Sequence, residues 1–197
     1  MNQISSNISY LPAAEEPLSA DVFLIEGEQN YWIYDVGNNE EALKLISGIG
    51  KEKKVILSHY HGDHTGNLAK LEIEDEKLYV GDLTQRKLER GTVIGDKLTV
   101  RDGVLLEIMR CASPHAGGCL IVTVDKTYTL LGDLYFSKPN KNRKMAERML
   151  KALAEIETRY FVVSHQQGDN IFEKDFLLRE LKEYFAKSET NQGGNIS

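Results

Sequence analysis

The chain has 197 residues, 41% hydrophobic and 27% charged, which is enough for one domain with a sizeable core and too few for two comfortable ones. Its net charge of −6 argues against nucleic acid as the main partner, because duplex binding relies on Lys and Arg to neutralise phosphates. The polar start with Glu15 and Glu16, the lack of a long apolar run, and only two cysteines, Cys111 and Cys119, predict a cytoplasmic protein with no signal peptide and no membrane span.

In chain order, apolar runs at 22–25 and 31–34 around the turn 26–30 predict two strands, the second ending at Asp35-Val36-Gly37. Helical spacing of Ala42, Leu43, Leu45 and Ile46 predicts a helix over 40–49. A buried strand at 54–57 delivers the chain into His59, and a helix is expected from about Asp63 through Leu68 and Leu71. Next come a strand at 78–80, a helix near 83–90 and strands at 98–100 and 104–109. A hairpin of 120–124 and 128–131 turns across Asp125-Lys126-Thr127. A helix over 142–156 carries Met145, Met149, Leu150 and Leu153 on one face, a strand at 160–163 leads to His165, and an amphipathic helix over 172–186 follows. Residues 1–189 read as a single domain and 190–197 as a disordered tail. Strands and helices do not alternate as in a doubly wound sheet, so two packed sheets with helices outside fit better.

All five histidines fall into one pattern. Three lie in the run Ser58-His59-Tyr60-His61-Gly62-Asp63-His64, and His115 and His165 stand alone downstream with Asp133 between them. Five imidazoles and two carboxylates suit two divalent cations. His59 and His61, two apart in an extended segment, project to one side and can grip one ion. Gly62 permits a sharp turn, so that Asp63 and His64 point towards a second ion. Holding two ions a few ångströms apart needs a bridging carboxylate, and Asp133 is the candidate. Each of these residues is ordinary alone; the conjunction, with each one following a strand, carries the metal reading.

The run His59-Tyr60-His61-Gly62-Asp63-His64 resembles the His-x-His-x-Asp-His signature of the metallo-β-lactamase fold superfamily, and the resemblance extends from about Val22 to His165. It implies an α/β (α+β) fold, a four-layer αβ/βα sandwich of two mixed sheets with the site along one edge. It also implies that His59, His61 and His115 hold one metal, that Asp63, His64 and His165 hold the other, that Asp133 bridges, and that Asp35 orients a ligand or loop from behind. Two departures are visible. Pro114 precedes His115 where family members commonly have Gly, and Gln166-Gln167-Gly168 is an unusual continuation after His165.

The expected activity is binuclear metal-dependent hydrolysis, in which two cations sharing a water supply a hydroxide and Asp63 orients or deprotonates it. Zinc is the default metal, with iron or manganese as alternatives, because mixed N/O ligation selects weakly. A small thioester or lactone-type ester, as in glyoxalase II-like members, is the first expectation for substrate, although the chain has no room for a helical C-terminal substrate domain. A phosphodiesterase or nuclease draws instead on the basic cluster Lys138, Lys141, Arg143, Lys144, Arg148 and Lys151, which otherwise reads as a solvated helix face. An iron-dependent oxidoreductase or dioxygenase and a non-catalytic metal-binding module are the readings from other classes. Trp32 with Tyr31, and Tyr135-Phe136 beside Asp133, are candidate apolar walls; Trp32 reads equally as core because it alternates with Tyr31 and Ile33, and Tyr135 is favoured, its hydroxyl also serving an oxyanion. Cys111 and Cys119 read as small buried residues on neighbouring strands.

Overall fold

The computed structural model of the chain describes residues 1–138, 142–166, 168 and 170–187. The expected tail at 190–197, together with Lys141 and Gln167, lies outside the described residues. The first half contains β1 (Asn2–Gln3), β2 (Ile8–Leu11), a short hairpin of β3 (Ala14–Glu15) and β4 (Leu18–Ser19), β5 (Val22–Glu26), β6 (Asn30–Tyr34), α1 (Glu40–Ser47) and β7 (Glu52–Ile56). It continues through α2 (Gly62–Thr65), β8 (Leu78–Val80), α3 (Asp82–Leu88) and β9 (Thr92–Val93). The second half holds β10 (Lys97–Arg101), β11 (Leu105–Cys111), β12 (Cys119–Val124), β13 (Tyr128–Leu130), α4 (Arg143–Glu155), β14 (Tyr160–Val162), β15 (Ile171–Glu173) and α5 (Lys174–Lys187).

Each half makes one mixed sheet. The first has the order β1-β2-β5-β6-β7-β8-β9, antiparallel up to β6 and parallel from β6 to β9. The second has the order β10-β11-β12-β13-β14-β15, with β13 and β14 as its parallel pair. Alternation along each strand builds the layers. On β5, Phe23 and Ile25 face the second sheet, where Leu106, Leu120, Val122 and Val162 meet them. Val22 and Leu24 face the other way, onto Ala42 and Ile46 of α1 and onto Leu68. On the far side, Ile121, Phe161 and Val163 are covered by Met149 and Leu153 of α4 and by Leu177 and Leu181 of α5. The result is the expected αβ/βα sandwich. No helix among the described residues is long and apolar enough to cross a membrane.

The structure differs from the sequence expectation in three places. The first twenty residues, a polar start to which no element was assigned, supply four short strands. The expected helix from 63 to 71 is broken into α2 and a separate 3-10 turn at Leu68–Lys70. Trp32, expected as a possible pocket wall, is fully buried in the core between the sheets. Its indole N–H donates to Asp102 Oδ2 at 2.9 Å, an acceptor that also takes the Asn30 backbone and side-chain N–H groups at 3.1 and 2.8 Å, while Oδ1 takes Gln29 N–H at 2.7 Å. A buried partner for the indole removes the cost that would otherwise keep Trp near water.

Candidate metal centre

The strands converge at one edge. His59 follows β7, His115 lies between β11 and β12, Asp133 follows β13 and His165 follows β14. There the two sheets are joined directly: Leu120 N–H donates to Ser58 O at 2.8 Å, and Tyr34 Oη–H donates to Leu120 O at 2.8 Å. Gly132 makes the close approach possible. It has φ +54°, and a Cβ there would lie 2.8 Å from Ser58 Cβ.

Two groups of side chains form. In the first, His59 Nε2, His61 Nδ1 and His115 Nε2 lie 2.9, 3.2 and 3.0 Å apart. In the second, Asp63, His64, Asp133 and His165 bring one ligand atom each within 4.8 Å of the others. Asp133 Oδ2 lies 3.3 Å from His64 Nε2, 3.8 Å from His165 Nε2 and 3.7 Å from His115 Nε2, so it reaches both groups. Seven expected ligand residues are thereby brought together, drawn from both halves of the chain.

The neighbours of each ring decide which nitrogen is bare. His115 Nδ1–H donates to Phe136 O at 2.7 Å, which leaves Nε2 as a lone pair aimed at the first group. His64 Nδ1–H donates to Asp35 Oδ2 at 2.7 Å, and the other Asp35 oxygen accepts Ser58 N–H at 2.7 Å. Asp35, buried at φ +61°, thus holds both the His64 ring and the start of the histidine run. Ser58 Oγ lies 2.9 Å from His59 Nδ1.

Do these residues fit metal ions? Three imidazole nitrogens converge to about 3 Å from one another, and tetrahedral zinc at ~2.0 Å from each nitrogen would separate them by about 3.3 Å. His64 Nε2 and Asp133 Oδ1 are buried and make no hydrogen bond, a costly arrangement unless something else engages them. Electrostatics agree. Burial and the neighbouring His64, His61 and His115 push His59 down to about 2. Burial also opposes a charge on His64, but the Asp35 and Asp133 carboxylates outweigh it and raise the ring to about 10. Burial raises Asp63, yet its bond to His165 and the nearby His64 win, holding it at about 2. Burial thus disfavours a proton on His59 and His61, while the Asp35, Asp63 and Asp133 carboxylates draw positive charge towards His64 and His165. The residues fit.

His165 sits at φ +55°, a left-handed conformation that a non-glycine residue adopts only when held there. Asp21 holds it: Oδ2 accepts the His165 backbone N–H and the Ser164 hydroxyl, both at 2.8 Å. Neither Asp21 nor Ser164 was picked out from the sequence, and nothing local could have shown that residues more than 140 positions apart meet. Ser58 could have been, since it opens the histidine run.

The clustered side chains open into a cleft of about 370 Å³, walled on its apolar sides by Leu18 at the β3–β4 hairpin and by Phe136. Tyr135 is not among its walls, which corrects the expected placement. The reasoning from a two-residue offset needed a strand, but the chain turns at 131–136, with Leu134 N–H on Leu131 O and Phe136 N–H on Asp133 O. Phe136, three residues on, therefore returns beside Asp133, while Tyr135 stacks on it at 4.7 Å and packs towards α4 and α5. Burial pushes the Tyr135 hydroxyl well above its usual range. Lys138, Arg143, Lys144, Arg148 and Lys151 are exposed, and Arg143 pairs with Glu147 of its own helix at 3.1 Å. Cys111 and Cys119 face each other in register on β11 and β12 as buried free thiols, as expected.

Comparison with known proteins agrees with this geometry. Residues 16–74, which include His59 to His64, match the family model described as the metallo-beta-lactamase superfamily. The DIM-1 metallo-beta-lactamase superposes with a TM-score of 0.75 at 18% identity over 95% of this chain and 96% of that one. A metallo-beta-lactamase from Pontibacter korlensis gives 0.69 at 16% identity, covering 94% and 97%. The flavodiiron protein from Giardia intestinalis gives 0.68 at 13% identity, covering 94% of this chain but 59% of its own length. No curated protein matches significantly in sequence. The chain has the metallo-β-lactamase fold, and the superfamily's model recognises the segment that carries its histidine run.

Proposed function

We propose that this chain is a binuclear metal-dependent hydrolase acting on a small thioester or lactone-type ester, the kind of bond cleaved by glyoxalase II-like members of the fold. The observation that supports it most is the pair of adjoining ligand groups reached by one carboxylate, Asp133. His59, His61 and His115 would hold one divalent cation, Asp63, His64 and His165 the other, and Asp133 both. When bound, two such cations lower the pKa of a shared water towards neutrality and polarise the substrate carbonyl. Asp63, kept ionised by His165 at 3.0 Å, would help hold the second cation and would orient such a water by accepting its hydrogen bond. Asp35 and the Phe136 carbonyl keep the His64 and His115 rings turned to the cleft, and the Phe136 ring sheds water from one side of it.

The cleft and its walls include no Lys or Arg among the described residues, while the basic residues of α4 lie on a solvated face. That favours a neutral substrate over a phosphodiester. Zinc is the proposed metal and the reducing cytoplasm the proposed compartment, where Cys111 and Cys119 remain thiols. The test is turnover by metal-reconstituted protein of thioesters, lactones, β-lactams and bis-p-nitrophenyl phosphate. Thioester or lactone hydrolysis that requires metal is expected. A protein with its full metal complement that hydrolyses none of them, or only the phosphodiester, refutes the reading.

A further inference from the structure

Among the described residues, the β3–β4 hairpin is a small sheet that joins neither large one: Ala14 pairs with Ser19 and Glu15 with Leu18. Two strands of two residues are not stable by themselves, so the hairpin stands where its anchors put it. Those anchors lie at its base. Asp21 Oδ1 accepts the Ala13 N–H at 3.2 Å and closes the two ends of the hairpin on each other. Oδ2 of the same carboxylate takes the Ser164 hydroxyl and the His165 N–H, and Asp21 N–H donates to Ser164 Oγ at 3.2 Å. One residue earlier, Ala20 N–H donates to the Asp63 carbonyl at 3.0 Å. Asn38, in the loop after Asp35, donates its N–H to Ser19 Oγ at 2.9 Å and its side-chain amide to Leu18 O at 3.4 Å. The hairpin base therefore grips the backbones of two members of the second ligand group, Asp63 and His165. None of these bonds ends on His59, His61 or His115. Leu18, on β4, is 55% exposed and forms a wall of the ligand cleft.

We propose that the hairpin and the Asp63–His64–His165 group are one coupled unit, so that a divalent cation in this group fixes the wall at Leu18, whereas one in the three-histidine group does not. The inference rests on the two-ion reading and concerns what the second ion does to the chain around it. Asp63 and His165 are 102 positions apart, and their side chains meet through one bond of 3.0 Å. A cation taken by both would replace that bond with two coordinate bonds and hold the two backbones in fixed relation. Ala20 and Asp21, which hang on those backbones, then have immobile partners, and the hairpin loses its freedom to swing. Coupling of this kind is reciprocal: a hairpin fixed in place raises the affinity of the second group for its ion by the same factor. An order of events follows. The apolar wall of the cleft is set in the form of the protein that holds the second ion, and it is loose in the form that holds only the first.

The experiment reads the hairpin directly and needs no turnover. Amide hydrogen exchange is followed by NMR on the full isotope-labelled chain, metal-free and with excess zinc, and bound zinc is counted by elemental analysis of the same samples. The reporters are the Ala13, Ala20 and Asp21 N–H groups, each bonded at the hairpin base. Zinc should slow their exchange about tenfold in the wild-type chain. The same slowing is expected in His115→Ala, which disables the three-histidine group. It should be lost in His165→Asn, which removes the imidazole while asparagine tolerates the left-handed backbone at that position. Each variant is compared with its own metal-free form, and the wild-type comparison can refute the proposal without any variant. Two bound zinc ions with unchanged reporters overturn the coupling and leave the two-ion reading standing. Slowing that persists in His165→Asn, or that vanishes in His115→Ala with one zinc still bound, also overturns it. A wild-type chain that binds fewer than two zinc ions removes the two-ion reading, and the coupling with it.

Discussion

Gly81 offers a way to disturb one ligand group without touching a ligand. It precedes α3 with φ −78°, ordinary for any residue, so an alanine there strains no backbone. The obstacle is steric: its Cβ would lie 1.8 Å from the Gly118 carbonyl oxygen and 2.7 Å from its carbon. Real Cβ atoms essentially never come within 3.0 Å of such an atom, so the two segments must part by 1.2 Å (3.0 − 1.8) or more. Gly118 sits in a left-handed turn at φ +69° close against Leu83 and Asp82, so the displacement passes into that turn. It lies three residues after His115, and the shift is expected to reach that ring. Overpacking of this kind costs about 1–3 kcal/mol of stability. A displacement of ~1 Å at the ring should lower kcat/KM about 100-fold, and the three-histidine group should lose at least tenfold in zinc affinity. The assay is a zinc competition titration with a chromophoric chelator, which resolves two successive affinities, with thermal melts of the zinc-free protein in parallel. Gly95→Ala is the control, since nothing lies within 4 Å of a Cβ there. A folded Gly81→Ala protein with both zinc affinities unchanged would refute the argument that the Gly118 turn positions His115.

Elemental analysis of protein reconstituted with excess zinc should give two equivalents; Asp133→Ala should weaken both sites and His165→Ala mainly one, and equal losses from both would contradict the assignment of ions to ligands. Asp21→Asn should leave the zinc-free fold within about 2 kcal/mol of wild type but lower affinity at the His165 site about tenfold, with the His59 site spared; an unchanged second affinity removes Asp21 from any positioning role. Asp102→Asn should cost about 1–3 kcal/mol in urea unfolding, because an amide nitrogen cannot accept the Gln29 N–H. For the same carboxylate, burial raises the pKa but the Asn30, Gln29 and Trp32 donors win and hold it at about 2, below its usual 3.8. A depressed folded pKa stabilises above the unfolded value, so this contribution should be complete above about pH 5 and fade as pH falls through 4 towards 2; an Asp102→Asn variant whose stability deficit persists undiminished at pH 2 would contradict it.

The candidate metal ligands were legible because histidine is rare here and its spacing is informative at short range: His59, His61 and His64 lie within six residues. The layered fold was legible where strands are apolar on both faces, as in β5 and β12. What escaped depends on contacts between distant residues. The strands β1 to β4 contain only scattered apolar residues such as Ile8, Tyr10 and Leu11; β2 gains strand structure by pairing onto β5, β1 by pairing onto β2, and β3 and β4 by pairing with each other. Trp32 could not be placed without knowing that Asp102, 70 residues away, would meet its indole. Of the pair Tyr135-Phe136, the cleft is lined by Phe136 and not by the favoured Tyr135, because a turn, rather than a strand, follows Asp133.

Both ligand groups are assembled from the two halves of the chain: His59, His61, Asp63 and His64 come from the first sheet, and His115, Asp133 and His165 from the second. Bound cations would therefore act as rivets across the seam of the sandwich. At 100 times its dissociation constant, each ion would add about 2.7 kcal/mol against opening. Without them the seam still has the Leu120–Ser58 and Tyr34–Leu120 hydrogen bonds, but it also has the crowded imidazoles and unpartnered buried atoms described above. Opening of that one edge, short of global unfolding, would be easier in a metal-free chain than in one holding both ions. Proteolysis of transiently opened states follows their population. If the ions bind as proposed, the chain's resistance to proteolysis should rise with metal supply.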